Sequence, residues 1–148
     1  MKNFFKRKKN KDDNKYILIP ESRINEELKP EIVNLEKLAE KYALAFQEAY
    51  KEAFSLNNKQ NLRIWVCRDV DGDELQDLSY NDCLEKDYRS KVAIDYEGAK
   101  FDDEFYAHDI DLWYYFTGYV KGSGTLYNYK EYDLHKVIES ALKELLTF

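Results

Sequence analysis

The stretch Leu62-Arg-Ile-Trp-Val-Cys-Arg-Asp-Val-Asp-Gly72 decides how the chain is put together. Leu62, Ile64, Val66 and Arg68 alternate with Arg63, Trp65 and Cys67, the period of a strand with two unlike faces. Asp71-Gly72 follows directly and is the strongest short turn signal in the chain. The strand must therefore turn back on itself, and the residues on either side have to supply its partners and its cover.

Upstream, the spacing predicts a long helix over about 30–56. Pro30 suits the first turn, where its missing N–H costs nothing. Glu26, Glu27 and Glu31 sit at the end where the helix dipole favours acids. Leu35, Leu38, Ala39, Tyr42, Phe46, Ala49, Tyr50 and Ala53 recur at helical spacing, with Glu36, Lys37, Glu40, Lys41, Glu48, Lys51 and Glu52 opposite. Tyr16 to Ile19 reads as a short strand stopped by Pro20.

Downstream, Glu74 to Asp87 has no clear period. Val92, Ile94 and Tyr96 alternate as a half-buried strand, and Ile110 to Val120 is rich in aromatics that favour sheets. Gly122-Ser-Gly-Thr125 lacks the Lys and the following helix of a phosphate loop and reads as a turn, with Leu126 to Tyr129 pairing back. Asp133 is a good N-cap for a last helix to about residue 146, with Leu134, Val137, Ile138, Ala141, Leu142 and Leu145 as its apolar stripe. Helix, strands, helix predicts an α+β fold. Two amphipathic helices, about 30–56 and 133–146, pack on one face of a mostly antiparallel sheet of about four to five strands.

Charge divides the chain. Residues 69–111 hold fifteen acids against four bases, a net of −11 in a protein whose total is −6. Residues 1–15 carry seven bases and two acids. They read as a basic, disordered arm ahead of a single domain over 16–148, because Phe4 and Phe5 offer too little apolar surface to offset ordering. Residues 2–11 suit weak contact with an anionic membrane, and the acidic body opposes direct nucleic-acid binding. No apolar run reaches the length of a secretion signal or a membrane span. Cys67 and Cys83 lack metal-like spacing; they read as reduced thiols of a cytoplasmic protein, with a single disulfide as the alternative. Abundant Lys, Asn and Tyr point to an AT-rich bacterial or phage genome.

Acids interleaved with aromatics favour a binding module over an enzyme. Carboxylates hasten the encounter with a basic partner, and rigid aromatics supply contact area at low entropic cost. Asp69, Asp71, Asp73, Glu74, Asp77, Tyr80, Tyr88, Asp102, Asp103 and Tyr106 form the expected partner-binding face. The partner would be a basic protein such as a nucleic-acid enzyme or toxin, and no cofactor is expected. In size, charge and element order the chain is similar to the immunity proteins of bacterial toxins and to phage-encoded inhibitors, though no family motif carries the likeness.

Two alternatives accompany this reading. Asp102, Asp103, His108, Asp109 and Asp111 could gather around a divalent metal in a hydrolase, since Asp109 and Asp111 would share a strand face roughly 7 Å apart. The basic arm could instead make the protein a peripheral membrane adaptor. Asp69-Val-Asp-Gly-Asp-Glu74 is not an EF-hand loop: its Gly is fourth rather than sixth, and position twelve is Tyr80 rather than Glu. His135 falls in the first turn of the last helix, an ordinary place for a partly exposed residue.

Overall fold

The computed structural model describes residues 15–98, 105–118 and 122–148. The expected basic arm therefore lies outside the described residues, as do Asp102 and Asp103. Five strands form one antiparallel sheet: β1 (Tyr16–Pro20), β2 (Gln60–Val70), β3 (Tyr88–Glu97), β4 (Phe105–Phe116) and β5 (Ser123–Tyr127). Their order across the sheet is β1-β5-β4-β3-β2. Two helices, α1 (Lys29–Leu56) and α2 (Leu134–Thr147), pack on one face. This is the expected α+β arrangement. None of the described helices is long and apolar enough to cross a membrane.

Sequence order explains the layout. β2 to β5 form a meander, each strand beside the next. α1 carries the chain from β1, at one edge of the sheet, to β2 at the other. The chain turns at Asp71 and Gly72, both at positive φ (52° and 85°), but this turn brings back only Asp73, which bridges Val70, and the partner strand β3 begins at Tyr88. β4 begins earlier than the aromatic run suggested, because Tyr106, Ala107 and His108 also pair, with Tyr96, Asp95 and Ile94. β5 likewise takes in Ser123 and Gly124, which had read as part of a turn. Gly124 is needed for packing: a Cβ there would overlap the Trp113 ring across the β4–β5 pair.

β4 bends where its register against β3 shifts between Ser90 and Lys91. Asp111 pairs with Lys91 and Trp113 with Ser90, so Leu112 is the extra residue of a bulge. Leu112 and Trp113 are both fully buried as a result. The indole Nε1 of Trp113 donates to the Cys83 carbonyl at 2.8 Å and ties the long β2–β3 connection to the core.

The buried face of α1 is rotated from the expected stripe. Ile32, Leu35, Glu36, Ala39, Ala43, Phe46 and Phe54 are buried, whereas Ala49 is exposed. Glu36, expected in solvent, is 0% exposed. The correction has an electrostatic cause: Arg68 projects from the helix-facing side of β2 and donates from Nε to Glu36 Oε1 at 2.7 Å and from a terminal nitrogen to Glu40 Oε1 at 2.7 Å. The Tyr88 hydroxyl donates to the same Glu36 carboxylate, with both oxygens within 2.9 Å. A buried charge is tolerable only when paired and hydrogen-bonded, and here both conditions are met.

Candidate partner-binding site

Folding sorts the acidic stretch into acids that hold the structure and acids that face solvent. Asp69 belongs to the first group. It is 4% exposed; one carboxylate oxygen accepts from the Gly72 N–H at 3.2 Å and the other from the Arg89 guanidinium at 3.2 Å. Its oxygens fix the hairpin and the neighbouring strand. Asp87, at φ 65°, accepts from the backbone N–H and hydroxyl of Thr117. Asp82 closes a capping box with Ser79 that shapes the short 3-10 turn Tyr80–Asp82. Asp109 pairs with Lys91 Nζ at 3.0 Å on the open face of the sheet.

The second group, which also takes in the exposed Glu85 and Asp111, centres on four residues, Asp71, Asp73, Glu74 and Asp77. All four are exposed, and no described salt bridge includes any of them. No Lys or Arg occurs in sequence between Arg68 and Lys86, so the segment lacks a local cation. Leu75 stands among them, 52% exposed. Backbone bonds between Val70 and Asp73, 3.0 Å in each direction, hold the start of the segment against the free edge of β2. Glu74 is tethered through the Cys67 thiol, which donates to its Oε1 at 3.1 Å. Burial and this bond to Glu74 push the Cys67 thiol up to about 12. Burial does the same for Cys83, also to about 12. Both cysteines are free and buried, with no disulfide between them.

The aromatic members divide too. Tyr80 is half-buried beside the acidic segment, with Lys37 Nζ 5.0 Å from its ring centroid. Tyr106 faces the helices and stacks on Tyr96 at 5.0 Å. Tyr88 cannot be a contact residue in this fold and is a correction to the expected face. It points inward with Ser90 and Val92, is 0% exposed, and binds Glu36. Burial and the Glu36 carboxylate both raise its phenol well above the usual value.

The alternative metal set is divided by the strand itself. His108 pairs with Ile94 and lines a groove against α2 with Lys136 and Ala141. Asp109 and Asp111 project from the opposite face. Among the described residues, no three His, Cys, Asp or Glu side chains gather as a metal site would need.

Sequence reading missed the buried cluster of Glu36, Glu40, Arg68 and Tyr88. One signal for it was present: Arg68 keeps phase with Leu62, Ile64 and Val66, so a cation was headed for the helix-facing side. The sequence matches no protein-family model, and neither a curated protein nor a solved structure is similar to it.

Proposed function

We propose that this protein is a non-enzymatic binding module whose acidic β2–β3 connection docks on a basic protein, as an inhibitor or immunity-type protein in the cytoplasm of a bacterium or phage-infected cell would. The supporting observation is the exposed run Asp71, Asp73, Glu74 and Asp77, four carboxylates within seven residues that enter no salt bridge among the described residues, whereas Asp69, Asp82, Asp87 and Asp109 are paired or capping. Carboxylates at this spacing can stand where the phosphates of a nucleic-acid substrate would lie on a basic enzyme. Leu75 and Tyr80 add apolar contact beside the charge.

Electrostatic docking of this kind acts mainly on the rate of encounter and fades with salt. Replacing Asp71, Asp73, Glu74 and Asp77 by their amides is expected to leave the melting temperature within a few degrees. A tagged wild-type chain should retain a basic protein from its native extract in stoichiometric amount at low salt, and the four-amide variant should not. Equal retention by both would reject this face as the contact. Asp69 is left out of the variant because it holds Arg89 and the turn.

A further inference from the structure

The free edge of β2 is closed at both ends and open in the middle. Odd-numbered residues direct their backbone groups toward β3, as the bond from Asp71 N–H to the Asp87 carbonyl shows. Even-numbered residues therefore direct theirs away from it. At one end the Gln47 side chain of α1 takes the place of a neighbouring strand: its Nε2 donates to the Leu62 carbonyl and its Oε1 accepts from Ile64 N–H, both at 2.8 Å. At the other end Asp73 pairs with Val70 in both directions. Between these closures lie the N–H groups of Val66 and Arg68 and the carbonyls of Ile64, Val66 and Arg68. No bond to them from beyond the edge occurs among the described residues. They face a groove of about 450 Å³, walled on its far side by Glu74, Leu75, Gln76 and Leu78.

We propose that this open stretch, Ile64 to Arg68, accepts an extended peptide segment of the partner as a sixth strand, with a lysine or arginine side chain set against Glu74. Strand addition satisfies edge amides and carbonyls that otherwise bond only to water, and side chains at alternate positions supply selectivity. Charge complementarity points to the kind of strand: the outer wall presents Glu74 from the acidic segment 71–77, the Arg68 guanidinium is already taken up by Glu36 and Glu40 on the helix side, and the Arg63 guanidinium lies over the Trp65 ring at 3.7 Å. The inference rests on the binding reading above and gives it a docking mode.

The test uses the full-length, isotopically labelled chain and a blocked nine-residue peptide of alternating lysine and valine, with amide exchange and chemical shifts as readout. In the free chain the Val66 and Arg68 amides should exchange rapidly, while Ile64 and Val70 are protected. The peptide should shift and protect Val66 and Arg68, and a proline at its centre should weaken binding at least ten-fold. Val66→Pro removes one edge N–H without touching the β3 ladder and should weaken binding at least ten-fold too. The four-amide variant gives an independent loss should the proline variant fail to fold. Shifts confined to residues 71–78 would overturn strand addition while leaving the acidic docking reading in place. Absence of any shift at millimolar peptide would overturn both. Protection of Val66 and Arg68 already in the free chain would mean that the molecule fills its own edge, by residues 2–11 or by a second copy, and would also overturn the proposal.

Discussion

Replacing Arg68 by alanine should lower the free energy of unfolding by about 3–5 kcal/mol, the usual cost of stranding a buried charge. Glu36 is 0% exposed and Arg68 only 12%, so water cannot take over from the missing guanidinium without opening the packing of α1 on β2. Glu40, 44% exposed, would turn to solvent at little cost. The decisive comparison is a triple variant, Glu36→Leu with Arg68→Met and Tyr88→Phe, which removes charge and hydroxyl together. It should recover most of the loss, because the penalty belongs to the unpaired ion and not to the space it fills. Urea unfolding followed by far-UV circular dichroism measures both. A single-variant loss under about 1 kcal/mol would show that the carboxylate is solvated some other way.

Raising the pH above 9 should progressively destabilise the fold. Each cysteine thiol titrates near 9 when free and at about 12 in the fold. Above pH 9 the unfolded chain releases protons that the folded chain retains, so each thiol removes about 1.4 kcal/mol of stability per pH unit up to about pH 12. Tyr88 and Tyr127 act in the same sense from about pH 10 upward, since burial raises both phenols and Glu36 raises Tyr88 further. Stability from these groups is thus fully present below pH 9 and declines with alkali. The double variant Cys67→Ala, Cys83→Ala should show a much shallower decline between pH 9 and 10.5 in chemical denaturation. Parallel slopes for variant and wild type would exclude the thiols as the cause.

How much was legible in the sequence follows from which forces act locally. The α1 start near Pro30, the Asp71-Gly72 turn and the Asp133 cap depend on a few adjacent residues, and each could be read directly. The inward turn of Glu36 could not, because its cause is Arg68, 32 positions away. The early start of β4 was hidden for a similar reason: Ala107 and Asp109 alternate only weakly in polarity, and pairing with β3 decides their state. Within the candidate site, Asp71, Asp73, Glu74 and Asp77 lie in solvent as expected of contact residues. Tyr88 does not, because phase within a strand shows which neighbours share a face but not that this face meets the helices, and Asp69 does not because Arg89, 20 positions away, and the Gly72 N–H cover its carboxylate.

The placing of β1 and β2 at opposite edges has a kinetic meaning. Tyr16 of β1 pairs with Tyr127 of β5, more than a hundred residues later, while the pairs β2–β3, β3–β4 and β4–β5 join strands that are consecutive in sequence. Closing so long a loop is slow relative to zipping a meander. The amides of β1 should accordingly be the last in the sheet to gain protection in pulsed exchange during refolding. During synthesis β1 must wait for β5 to leave the ribosome, with Ile17, Leu18 and Ile19 without their β5 partners in the meantime. A waiting strand of that kind can complete the sheet of another molecule, so refolding at high concentration should yield some exchanged dimer joined through β1, which size-exclusion chromatography against dilute refolding would reveal.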